Sequence, residues 1–257
     1  MTRKTADPMR VLTVDIGNTA IKGSIFEDGR FLGSALAENR TVQELRPLID
    51  EYSPQGAICC SVGNDAETFV ADLETTTGLR VMTLTHDTAL PIGVEYGTPA
   101  TLGLDRVAAA VGAVMITRDA LVVDAGTAMT LDIVADGAFR GGNISPGLRL
   151  RFRSLNNFTS RLPLVTPADD FPDFGADTET AIRAGVTMGI LDEIENTYRR
   201  AKARYPKLRI ILTGGDAPFL ETFLEADGLR PVTVPSLVGR GLEEIYKYNY
   251  TDTGNPD

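Results

Sequence analysis

Asp15, Thr19 and Lys22 fall within one short stretch, VDIGNTAIK, in which an acid, a Gly-Asn-Thr turn and a lysine stand between two apolar runs. Backbone N–H groups of such a turn can bond phosphate oxygens, an ammonium can neutralise their charge, and a carboxylate can hold a hydrated cation. The chemistry is that of a phosphate clip. Taken alone, the stretch also fits an ordinary surface hairpin. The order apolar run, Asp, Gly, Thr and second apolar run returns in LVVDAGTAMTLDIV, around Asp124 and Thr127. Two such turns point to a duplicated nucleotide-binding core, each half offering a turn to the phosphates from one side of a cleft. A third cluster, Gly103-Leu104-Asp105-Arg106, follows a Gly- and Pro-rich loop over residues 89–101 that carries Tyr96. An acid in the first turn of a helix suits the helix dipole, and an acid beside an arginine also suits a substrate site.

These residues need strands and turns to hold them. Residues 11–14 and 21–26 read as two strands of a hairpin, and 30–37 as a third after the Glu27-Asp28-Gly29 turn. Thr41 caps a helix with Glu44 three residues on, as in a capping box. Residues 56–62 form a buried strand, 65–76 a helix, 80–84 a strand and 105–117 a buried helix. The order β-β-β-α-β-α-β is that of a mixed sheet with helices on its faces. Beyond the second hairpin, Gly141-Gly142-Asn143-Ile144-Ser145-Pro146-Gly147 reads as a loop that leads into a helix over 148–156. Arg149, Arg151 and Arg153 make this the one locally basic segment. Thr178 caps a long helix to about Tyr205, whose Ala181, Ala184, Gly185 and Gly189 permit close packing and a two-fold dimer contact. A strand over 208–212 ends in Gly214-Gly215, where a flat base or ribose could lie against the backbone. A helix over 217–225, a strand over 230–234 and a helix over 237–246 follow, with a frayed tail from 248.

At 257 residues and 43% hydrophobic, the chain can build one large domain or two smaller ones. The hairpin repeat favours two, over residues 1–118 and 119–257. The net charge is -10 and the acids are spread along the chain, so no footprint for nucleic acid or an anionic membrane is expected. No apolar run is long enough for a membrane span and the first residues have no apolar leader region, so a cytoplasmic protein is expected. Cys59 and Cys60, adjacent in an apolar run, read as buried thiols, and the lone His86 as a surface residue.

Together the motifs resemble the acetate and sugar kinase, Hsp70 and actin superfamily, and within it the type III pantothenate kinases. The resemblance rests on residues 15–22 (DIGNTAIK), 103–106 (GLDR), 124–128 (DAGTA) and 141–147 (GGNISPG), with a Thr-x-x-Ala-Ile at 178–182, and spans about residues 10–246. It implies an α/β fold of two ribonuclease H-like, actin-like halves, each a mixed β-sheet flanked by helices, with the ATP cleft between them. It implies ATP-dependent phosphorylation of pantothenate on its primary hydroxyl, the first step of coenzyme A synthesis. Carried over by position, Asp15, Ile16, Gly17, Asn18, Thr19, Ala20, Ile21 and Lys22 bind ATP, with Thr127 adding a contact. Asp105 is the general base; Tyr96, Gly103, Leu104, Arg106 and Thr178 line the pantothenate pocket with it. Asp124 holds a monovalent cation, K+ or NH4+, beside a Mg2+, and the chain forms a homodimer. Gly63-Asn64 departs from a valine-proline pair frequent in relatives. Two other readings are a different small-molecule kinase of the superfamily and a non-catalytic regulator akin to the Bvg accessory factors.

Overall fold

A computed structural model describes residues 9–17, 19–61 and 66–252. The chain divides into two compact units: residues up to 115 together with those from 236 onward, and residues 116–235.

In the first unit, β1 (Arg10–Ile16), β2 (Ile21–Glu27) and β3 (Arg30–Ala37) form an antiparallel meander. Asp28 and Gly29, at φ 49° and 83°, make the two-residue turn between β2 and β3 that matches the right-handed strand twist. Then follow α1 (Val42–Tyr52), β4 (Gly56–Ser61), α2 (Ala66–Thr77), β5 (Val81–Thr83), the two-residue β6 (Gly93–Val94), a 3-10 turn (Pro99–Thr101) and α3 (Leu104–Val114). The strand order is β3-β2-β1-β4-β5, with β4 and β5 parallel to β1. The Thr41–Glu44 capping box starts α1, which buries Val42, Leu45, Leu48 and Ile49 in one core with Leu12, Val14 and Ile25 of the sheet.

The second unit repeats the plan. β7 (Ala120–Ala125), β8 (Ala128–Ala135) and β9 (Ala138–Pro146) form a second meander, again turned by an Asp-Gly pair, Asp136 and Gly137, at φ 53° and 75°. The helices α4 (Leu148–Asn157) and α5 (Thr178–Arg204) precede β10 (Arg209–Thr213), α6 (Ala217–Ala226) and β11 (Val232–Thr233). Within the unit the strands run β11-β10-β7-β8-β9, with β10 parallel to β7 and β11 parallel to β10. Position by position this is the order of the first sheet, so the duplication read from two short turns extends to the whole mixed α/β topology.

Several expectations change. Residues 141–146 are strand, not loop: β9 pairs along β8 from Ala138 to Pro146, and Gly142 lies so close to Asp132 and Leu131 that no side chain would fit. Asp177, not Thr178, caps α5; its side chain accepts a hydrogen bond from Thr180 N at 2.9 Å. The last helix, α7 (Leu237–Asp252), runs past the expected frayed point at 248 and packs in the first unit against α3. Gly241 makes this possible, since its backbone rests directly on the Ala108 carbonyl. The Gly63-Asn64 departure lies outside the described residues.

Candidate active site

The first turn is closed by a hydrogen bond from Gly17 N to Ala20 O, 3.2 Å. Thr19 is exposed, Ile16 and Ile21 are buried in the core, and Asn18 lies outside the described residues. Asp15, near the end of β1, stands opposite Lys22 of β2 and beside Cys60 of β4 in the strand registers. The Cys60 thiol donates to Asp15 Oδ1 at 3.6 Å. Burial pushes the Asp15 carboxyl up to about 6, and the negative charge of Asp105 adds to the shift; the Cys60 hydrogen bond and the Lys22 charge oppose it. Lys22 thus opposes the shift without outweighing burial and the Asp105 charge. Burial, with Asp15 second, pushes the Cys59 thiol up to about 12 and Cys60 well above its ordinary value. Both cysteines are free and buried, as expected.

Asp105 sits in the first turn of α3, where its Oδ1 accepts from Arg106 N at 2.9 Å. Arg106 is buried and holds its guanidinium 6.0 Å from the centre of the Tyr96 ring. His86, exposed as expected, bonds the Leu102 carbonyl at 2.9 Å through Nε2 and so ties down the segment that enters α3. The structure therefore brings Asp15, Lys22 and Asp105 into electrostatic contact, and Tyr96 to Arg106, within one unit.

In the second unit, Asp124 is half-buried at the end of β7, and Thr127 is exposed in the turn that follows. Gly147 N donates to Thr127 O at 3.0 Å, and its backbone packs so closely on Gly126 that a side chain is excluded. Asp216 N donates to Ala125 O at 3.0 Å, and Gly214, at φ 96°, lies against the Ala125 backbone. The Gly-rich segments at 147 and 214 thus both brace the β7–β8 turn. Arg149 pairs with Asp216 at 3.1 Å and Arg151 with Glu193, so the basic segment is largely matched by acids. A denser basic run, missed in the sequence, ends α5 and continues past it: Arg199, Arg200, Lys202, Arg204, Lys207 and Arg209. Its helical members suit the C-terminal end of the helix dipole. Thr178 lies elsewhere, in a groove of about 640 Å³ between α4 and α5 with Arg151, Ser154 and Gly185.

No group of three or more His, Cys, Asp or Glu side chains able to cage a metal occurs among the described residues. Single carboxylates such as Asp15 and Asp124 instead suit a cation that keeps waters and phosphate oxygens as its other ligands. Sequence reasoning missed Cys60 as a partner of Asp15 and Arg40 as a partner of Gly17; both contacts depend on registers between distant segments.

Residues 11–200 match the family model described as type III pantothenate kinase. The chain belongs to the type III pantothenate kinase family. A Phocaeicola vulgatus family member is 40% identical over 245 residues, 93% of this chain and 98% of that protein. One from Porphyromonas gingivalis is 38% identical over 244 residues, again 93% and 98%. Among solved structures, a candidate Baf family transcriptional activator from Campylobacter jejuni superposes with a TM-score of 0.62 at 22% identity, covering 93% of this chain and 99% of that one. Component A of the (R)-2-hydroxyglutaryl-CoA dehydratase of Acidaminococcus fermentans superposes at 0.56 and 14%, covering 95% and 99%. At these identities the likeness speaks to the fold alone, two mixed α/β sheets flanked by helices. Among the described residues no helix is long and apolar enough to cross a membrane.

Proposed function

We propose that this protein phosphorylates pantothenate with ATP, giving 4'-phosphopantothenate and ADP, the entry step of coenzyme A synthesis. The observation that carries the reading is the Asp15–Asp105 pair: the helix-borne acid is near enough to the phosphate turn to raise the Asp15 carboxyl. A base poised beside a phosphate clip is what transfer to an alcohol needs. Family membership names the alcohol.

Residues 15–22 and Thr127 bind the ATP phosphates, Lys22 offsetting their charge. Asp105 accepts the proton of the pantothenate primary hydroxyl as its oxygen bonds the γ-phosphorus and the bridging bond to the β-phosphate breaks. Transfer of this kind passes through a loose transition state, so most of the acceleration comes from placement and charge. Arg106, its planar fork steadied over Tyr96, suits the pantothenate carboxylate. Gly103 and Leu104 line the same pocket. Asp15 would hold a Mg2+, which would supply charge neutralisation at the phosphates, and Asp124 would hold K+ or NH4+.

The protein acts as a homodimer in the cytoplasm. In support, Gly185 and Gly189 leave open space where side chains would stand, and Phe158, Leu164 and Phe174 are 86%, 60% and 91% exposed. Thr178, assigned to the pantothenate pocket by its match to the family's Thr-x-x-Ala-Ile, opens the helix that carries those glycines. The two units correspond to the two halves of the duplication, with α7 returned to the first.

A coupled assay of ADP release with ATP and pantothenate, with and without potassium, tests the reading. Release that requires pantothenate supports it; release with no dependence on pantothenate overturns it. Sedimentation of the purified protein at monomer mass would overturn the dimer.

A further inference from the structure

The Gly17 carbonyl belongs to the phosphate turn, and its donor is Arg40 Nη1, 2.7 Å away. Arg40 reaches it from the segment between β3 and α1, where its backbone adopts φ 59°, the left-handed region that non-glycine residues enter at a cost. That backbone is clamped. Arg40 N donates to Ala37 O at 3.3 Å, and the Glu44 carboxylate gathers the N–H groups of Glu38 at 3.1 Å, Asn39 at 3.1 Å and Thr41 at 3.3 Å. The Asn39 amide and the Thr41 hydroxyl bond the same carboxylate. A helix-capping acid therefore does more than cap: it orders the segment that aims Arg40. Arg40 borders a cavity of about 320 Å³ with Ile21, Thr68, Phe69 and Asp72.

Strain of this kind persists only where surrounding contacts over-determine it, and here they converge on one carbonyl of the phosphate turn. We propose that Arg40 is a positioning residue, which holds the Gly17 carbonyl so that the turn presents one conformation to ATP phosphates, and that Glu44 sets Arg40. The proposal rests on reading residues 15–22 as the ATP clip. It distinguishes the two substrates, because a loosened turn costs ATP affinity and leaves the acceptor pocket around Arg106 as it was.

The test compares Arg40→Gln, Arg40→Lys and Glu44→Gln with wild type in ADP binding by calorimetry, in the KM for each substrate, and in thermal melting without ligand. Loss of a charge-assisted hydrogen bond predicts that Arg40→Gln weakens ADP binding and raises the KM for ATP about tenfold or more. The KM for pantothenate stays within about twofold of wild type. Arg40→Lys recovers part of the loss, and Glu44→Gln shifts ATP in the same direction by less. Unchanged ADP affinity in Arg40→Gln overturns the proposal. So does a loss shared equally by both substrates, accompanied by a lowered melting temperature and no recovery in Arg40→Lys. If wild type binds ADP but transfers no phosphate to pantothenate, the functional reading fails while the calorimetry still decides the role of Arg40.

Discussion

Gly103 lies under the carboxylate of Asp105, so that a Cβ on residue 103 would come within 2.5 Å of Asp105 Oδ1. The backbone there, at φ -56° and ψ 128°, would accept alanine without strain. Gly103→Ala therefore acts on the carboxylate rather than on the fold. Displacing a catalytic base from its working geometry predicts a fall in kcat on the order of 10²-fold, with melting temperature and ADP affinity unchanged. Gly97→Ala is the control, since nothing lies within 4 Å of its added atom. Steady-state kinetics on both variants checks the difference.

Asp15 predicts a stability gain where activity is lost. Its folded-state carboxyl, raised to about 6 from 3.8 by burial and by Asp105, binds a proton more tightly than in the unfolded chain. The sign follows: this group's contribution is favourable at low pH and is lost as pH rises through 6. Asp15→Asn, free of that titration, should match wild type near pH 4 and exceed it by on the order of 3 kcal/mol above pH 7. It should also lose magnesium-dependent nucleotide binding. Urea unfolding of both proteins from pH 4 to 8, without nucleotide, measures the gap; a constant gap would contradict the assignment.

Much of this was legible because local chemistry announces it. Asp-Gly and Gly-Asn pairs mark turns, Thr41 and Glu44 mark a helix start, and the apolar runs of β1, β4, β7 and β10 mark buried strands. β9 was not legible as strand, because its glycines read as loop until Asp132 and Leu131 are seen to fill the space beside Gly142. Nor could local pattern say that α7 docks on α3, a contact between segments far apart in sequence, although Gly241 was visible throughout. At the site, residue types marked Asp15, Lys22 and Asp105, but Cys60 and Arg40 enter through strand register and a left-handed backbone. Neither property is written in any short window.

The second turn makes a parallel prediction about Gly147. Its N–H bonds Thr127 O, and its Cα packs on Gly126 with no room for a methyl group. Gly147→Ala must push the β7–β8 turn aside, which by the usual cost of overpacking destabilises the protein by about 1–3 kcal/mol. Because Thr127 moves with the turn, the KM for ATP rises as well. Thermal melting and the KM for ATP of Gly147→Ala check both effects, with Gly215→Ala, whose added atom meets nothing within 4 Å, as the control.

Asp105→Asn separates catalysis from structure and reaches Asp15 at the same time. Without a base for the hydroxyl proton, turnover should drop by about 10² to 10⁴-fold while ADP binding persists. Asp105 raises the Asp15 carboxyl through its charge, so neutralising it should lower the Asp15 titration from about 6 toward the ordinary carboxylate range. Carbon-13 NMR of the Asp15 carboxyl, in wild type and in the variant, reads that shift directly. A residue that only capped α3 would cost melting temperature and would leave turnover of the folded protein near that of wild type. A fall in turnover together with a lowered Asp15 titration and intact ADP binding would place the acid at the phosphate turn by its electrostatics and assign it the proton by its kinetics.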